Sequence, residues 1–211
     1  MQSKPAKSDM PGVRERIVES ALELINEQGI AALTQTRVAK HAGVRQSHLT
    51  YYFPTRHDLL KQTVVSGVAA LLTVLESPAD AGSKSLARFR EALEVELTDR
   101  RVPRMMAGLV AASEEERSLK PWLEQFELDL LDRMRLALAN RGVRPTRADL
   151  EMFQATIVGA LHLDLAASSD TSGKRTRAIL RRAFNQLIKT SRCTDKPNTQ
   201  HRRSTASVSS K

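Results

Sequence analysis

Residues 39–60 read AKHAGVRQSHLTYYFPTRHDLL, a stretch that holds both tyrosines and three of the five histidines of a 211-residue chain. Small residues at Ala39 and Ala42 allow two helices to cross closely, and Gly43 takes the backbone conformation of the turn between them. Val44 then returns to the core, and a short helix runs from about Gln46 to Phe53, where Pro54 cannot continue it. Leu49 and Phe53 anchor that helix from below. Its outer face carries Gln46, Ser47, His48, Thr50 and Tyr51, free to enter a major groove wide enough for one helix. Tyr52, Thr34 and Thr36 at the start of the preceding helix, and Arg56 at the positive end of the following one, are the expected phosphate contacts. Arg45 adds a cation within reach of a phosphate or a guanine edge. The segment from about 34 to 53 is thus expected to be a helix-turn-helix.

Working outward, apolar residues recur at helical spacing and no stretch alternates with period two for long, so the expected class is all-α. Val13, Ile17, Ala21, Leu24 and Ile25 form the stripe of a first helix that Gly29 ends. Thr34 caps the second helix, and Thr55 with Asp58 makes a capping box for a long fourth helix through LLKQTVVSGVAALLTVL. Five further helices follow, with Pro103 and Pro121 near the starts of two of them, Gly142 after one and Thr146 capping another. About nine helices are expected, with no internal repeat. The expected organisation is a flexible arm at 1–11, a three-helix helix-turn-helix domain at 12–60, and a larger helical domain at 61–192. A disordered basic tail at 193–211 completes it, being almost without apolar residues.

The formal charge of +9 does not by itself point to DNA, because residues 1–61 carry +3, residues 62–170 carry −4 and residues 171–211 carry +10. A single cysteine, Cys193, excludes a disulfide framework and a cysteine-based zinc site. No apolar run has the length of a membrane span and the N-terminus lacks a signal-peptide core, so a cytoplasmic protein without a membrane partner is expected. His41, His48 and His57 straddle a turn and a helix break, which is poor geometry for a shared metal. No paired carboxylates, nucleophile with base or phosphate loop stands at catalytic spacing. Neither an enzyme nor a cofactor or metal protein is expected.

Residues 14–60, read as RERIVESALELINEQG, LTQTRVAKHAGV and LTYYFPTRHDLL, resemble the DNA-binding domain of the TetR family of bacterial transcriptional regulators. Thr50 stands where a tyrosine is common in that family, and Arg45 where a serine or similar capping residue is usual. The resemblance implies that 12–60 is the DNA-binding domain and 61–192 a ligand-binding and dimerisation domain, with a homodimer joined through the last two helices and a small-molecule cavity enclosed by the fourth to seventh. Ligand binding would change the separation of two recognition helices. On this reading Leu150, Ile157, Leu161 and Leu165, with Leu180, Phe184 and Leu187, suit the dimer seam. Met105, Met106, Trp122, Phe126, Met134 and Phe153 are candidate cavity residues whose ordinary alternative is plain core. His162, on an apolar helix, reads as a buried or interface histidine and a candidate polar anchor. The expected function is a ligand-responsive repressor bound to a palindromic double-stranded operator and released by an unknown effector. The alternative is an architectural or division-linked DNA binder of the same fold without a ligand.

Overall fold

The first helix, α1 (Val13–Gln28), buries Ile17, Ala21, Leu24 and Ile25 along one stripe and ends at Gly29, whose φ of 80° is the left-handed geometry that favours glycine. The computed structural model describes residues 12–79, 84–167 and 172–193. The expected arm at 1–11 and the basic tail from 194 onward lie outside the described residues, as does the side chain of Cys193.

A single 3₁₀ turn at Ile30–Ala32 leads to α2 (Gln35–His41), where the Thr34 hydroxyl accepts from the Arg37 amide. Gly43, at φ 64°, makes the turn, and the Val44 amide donates to the Ala39 carbonyl at 3.0 Å. Next comes α3 (Gln46–Tyr52), pinned by Leu49, which is fully buried, and followed by buried Phe53. The expected capping box opens α4 (Arg56–Gly67): Thr55 and Asp58 exchange hydrogen bonds between side chain and backbone.

The long fourth helix expected from the sequence is broken. The chain bends by 52° between α4 and α5 (Ala69–Glu76), so the described residues contain ten α-helices where about nine were expected. The cause is local. A Cβ on Gly67 would lie 2.8 Å from the Met105 thioether and 3.0 Å from Leu22, so glycine lets these side chains pack against the α4 backbone without shifting. A Ser-Gly pair, Ser66 and Gly67, is also a common site of sharp helix kinks.

The remaining helices are α6 (Ser85–Thr98), α7 (Arg101–Glu115), α8 (Lys120–Ala139), α9 (Arg147–Ala166) and α10 (Ser172–Cys193). Pro121 lies in the first turn of α8, and Thr146 with Asp149 repeats the capping box at the start of α9. Among the described residues there is no strand, and no single helix is long and apolar enough to cross a membrane.

Two apolar cores organise these helices. The first joins α1 to α4 with Met105 and Leu109 of α7 and Leu123 and Phe126 of α8. The second unites α5, α6, the end of α8, α9 and α10 around Phe89, Leu138, Phe153 and Phe184. The boundary at residue 60 is therefore crossed by continuous packing, and any shift of α7 or the start of α8 reaches the helix-turn-helix through shared side chains.

Candidate functional site

The helix-turn-helix is held from three sides, which leaves one face of α3 open. Inside it, the Gln35 side-chain amide donates to the Phe53 carbonyl at 2.7 Å and to that of Pro54 at 3.2 Å, tying the start of α2 to the end of α3. Behind it, His41 Nε2 lies 2.9 Å from Glu23 of α1. Below it, Leu49 and Phe53 enter the first core, with the Arg14 guanidinium 5.5 Å from the Phe53 ring centroid.

On the open face Arg45, Gln46, Ser47, His48 and Thr50 are all exposed. Tyr51 is 80% exposed and Tyr52 40%, their rings meeting edge to face at 5.2 Å. So large an exposed aromatic surface on a helix of two turns is suited to a partner carrying both apolar and hydrogen-bonding edges. The Thr50 hydroxyl donates to the Gln46 carbonyl at 2.9 Å, which draws it back towards its own helix. Thr34 and Thr36 are exposed at the start of α2, the former already engaged as the cap.

Arg56 stands differently from the others. Its Nε donates to the Leu33 carbonyl at 2.8 Å, and its guanidinium pairs with Glu116, just beyond α7, at 3.0 Å. His57 Nε2 reaches the same Glu116 carboxylate at 2.9 Å. The basic residue at the head of α4 thus fastens the helix-turn-helix to the rest of the chain, where the sequence suggested a free phosphate contact.

A second feature lies between α5, α7, α8 and α9. An apolar cavity of about 190 Å³ is walled by Val68, Leu71, Leu130, Met134, Phe153 and their neighbours. Four residues singled out from the sequence line it: Met106, Met134, Phe153 and His162. Three do not. Met105 is buried against Gly67, while Trp122 and Phe126 stack at 5.3 Å beside a separate hollow with Val65 and Leu72. His162 is exposed on the cavity rim, not buried, with Nδ1 2.9 Å from the Val158 carbonyl.

Two polar lining residues, Glu127 and Gln154, were missed by the sequence reading. The signal was present, because Glu127 interrupts the stripe formed by Leu123, Leu130, Leu131 and Met134, and Gln154 sits one turn before Val158. Burial raises the Glu127 carboxyl above its ordinary pKa, and the neighbouring charge of Glu124 adds to the effect.

The residues named for a dimer seam mostly face inward. Leu150, Ile157 and Leu161 of α9 and Leu180, Phe184 and Leu187 of α10 belong to the second core, and Leu165 is half-buried. The outward face of α9 instead presents Met152, 70% exposed, and Leu163, 60% exposed, with Ala155, Gly159 and Ala166 between and beside them.

A helix-turn-helix with an open outer helix, packed into a larger helical body that holds an apolar cavity, is the arrangement of a DNA-binding protein. Residues 17–63 match the model of the bacterial regulatory proteins, tetR family. The regulator BetI of Rhizobium meliloti (strain 1021) is 36% identical over 81 residues, which are 38% of this chain and 38% of that protein. The probable regulator YttP of Bacillus subtilis (strain 168) is 30% identical over 66 residues, 31% of this chain and 32% of its own length. The match thus spans less than two-fifths of either curated relative. A transcriptional regulator from Rhodococcus sp. Rha1 has the same fold, with a TM-score of 0.68 and 17% identity over 84% of this chain and 96% of that one. The multidrug binding protein EbrR complexed with proflavin superposes with a TM-score of 0.56 and 21% identity, over 82% of this chain and 99% of that one. Residues 17–63 are thus similar to the DNA-binding region of the tetR family of bacterial regulatory proteins, and the chain shares its fold with the solved regulators.

Proposed function

We propose that the chain is a homodimeric transcriptional repressor that binds a palindromic operator through α3 and is released when a small molecule enters the cavity bounded by α5, α7, α8 and α9. The observation that carries this reading is the exposed face of α3, with Tyr51 projecting from a helix otherwise locked to the core by Leu49. Gln46, Ser47, His48 and Tyr51 read base edges, with Arg45 and Tyr52 at the flanks on phosphate or guanine. Two copies are joined through the outward face of α9, where Gly159 permits close approach since nothing lies within 4 Å of a Cβ placed there. The effector acts by preferring one separation of the two reading helices, and it releases DNA only to the extent of that differential affinity.

The cavity favours this reading over a purely architectural role, because a concave apolar space bordered by a few polar groups is the usual form of a small-molecule site. The location also supports it: Val68, at the α4–α5 bend, lines the cavity and belongs to the first core as well. A ligand touching Val68 therefore presses on the packing that supports the helix-turn-helix. That EbrR is described in complex with proflavin supports small-molecule binding at the level of the fold.

Selection of bound duplexes from a random-sequence pool by the full-length chain tests the proposal. It is expected to return an inverted repeat whose half-sites lie about one helical turn, roughly 34–36 Å, or a multiple apart. A pool that remains indifferent to sequence would contradict it.

A further inference from the structure

The polar groups on the cavity wall are unusual in their sign. Glu127, Gln154 and His162 are the side chains with polar atoms among its lining residues, and no Lys or Arg joins them. Glu127 has no ion pair or hydrogen bond within the chain among the described residues, although eight arginines elsewhere, including Arg56 and Arg181, find carboxylate partners close by. A carboxylate on an apolar wall without a counter-charge is an expensive arrangement in the absence of a ligand, since burial disfavours its charged form.

His162 stands at the rim with Nδ1 2.9 Å from the Val158 carbonyl, which leaves Nε2 turned away from that bond. The cavity thus presents one carboxylate, one imidazole and one amide within an aliphatic wall, and no Lys or Arg. An acidic ligand would set its own charge against Glu127 in a medium that screens poorly. A neutral apolar ligand would leave the carboxylate unpaired.

We propose that the cavity selects a hydrophobic monocation, an alkyl- or arylammonium ion, with Glu127 as its counter-charge and the aliphatic wall holding its carbon skeleton. The inference rests on the reading of this cavity as the effector site. Glu127 carries the charge selection, and His162 takes an N–H of the same ligand or lies near its methyl groups at the rim.

Calorimetric titration of the full-length chain at neutral pH with linear ammonium ions of about six to ten carbons, and with the matching alcohols and carboxylates, tests it within the size range a small pocket accepts. The ammonium ions are expected to bind at least about tenfold more tightly than the alcohols, with the carboxylates weakest. Glu127→Gln should abolish that preference while leaving alcohol binding unchanged. Glu124→Gln, on the exposed side of the same helix, should retain it. Alcohols or carboxylates binding as tightly as the ammonium ions, or a preference that survives Glu127→Gln, would overturn the cation assignment and leave a ligand cavity in place. No heat and no melting shift with any of the three classes would overturn the effector-site reading itself, and the cation assignment with it.

Discussion

Arg45 and Arg56 flank the same short helix and carry the same charge, yet their surroundings give them opposite work. Arg45 is exposed at the head of α3 with no side-chain hydrogen bond to the helix, whereas Arg56 is engaged by the Leu33 carbonyl and Glu116. Removing a cation that touches phosphate lowers the slope of log affinity against log salt by about one, because one fewer counterion is released. Arg45→Ala is therefore expected to weaken operator binding and flatten the salt dependence by about that amount, measured by anisotropy titrations at several ionic strengths. Arg56→Ala should leave the slope unchanged and instead lower stability, by up to about 1–3 kcal/mol if the Leu33 carbonyl loses a charged donor, read from urea unfolding. Sequence alone placed Arg56 on phosphate and Arg45 on phosphate or a guanine edge. It could not see that Glu116, 60 residues further on, would claim one of them. The anchors of α3 were legible, because Leu49 and Phe53 stand at helical spacing opposite a polar face, and both are buried.

At the scale of the element, caps were read well and one bend was not. Thr55 with Asp58 forms the capping box expected of it, and Thr146, expected as a plain cap, forms a second box with Asp149. In each, the threonine hydroxyl donating to the carboxylate, followed by the threonine amide, holds the aspartate pKa below its ordinary value. A depressed folded pKa stabilises the fold above the unfolded carboxyl range and loses that contribution as pH falls through the folded values. Stability measured by urea unfolding should thus decline as the solution is acidified below the ordinary Asp range, and Thr55→Ala with Thr146→Ala should make that decline shallower. At neutral pH each substitution is expected to cost about 0.5–2 kcal/mol.

The bend at Gly67 escaped because apolar periodicity runs through it undisturbed, and the packing of Met105 from α7 against Gly67 is visible only in the fold. Helix propensity would favour Gly67→Ala by about 1 kcal/mol, while overpacking a filled core costs about 1–3 kcal/mol. With Met105 buried and Leu22 also in the way, overpacking should win and the variant should melt at a lower temperature.

For the molecule as a whole, the lesson lies in which face of a helix meets which partner. The stripes on α9 and α10 were visible in sequence, but periodicity reports only that residues share a face. Leu161 and Phe184 cover one another's core within the chain, and the opposite side of α9 is left with Met152 and Leu163 exposed. A charge there should act on association alone. Leu163→Arg is expected to shift the chain towards monomer in sedimentation equilibrium and to weaken operator binding, since each monomer then engages a single half-site. Its melting curve should change little, because the residue lies outside the core. Of the seven residues named from sequence for a cavity, four line the one between α5, α7, α8 and α9. Met106, Met134, Phe153 and His162 were named, while Glu127 and Gln154 went unnoticed because a polar residue on an apolar stripe looks from sequence like an edge position.

The central claim is that α3 reads DNA while the rest of the chain holds it in place. The double variant Gln46→Ala with Tyr51→Ala removes two exposed side chains and no buried one. Its affinity for the selected operator, measured by fluorescence anisotropy beside its sedimentation behaviour, tests the claim most directly. The account predicts specific binding reduced by about tenfold or more, at roughly 1–3 kcal/mol for each lost base contact, with association and folding unchanged. Operator affinity equal to that of the unaltered chain would contradict it.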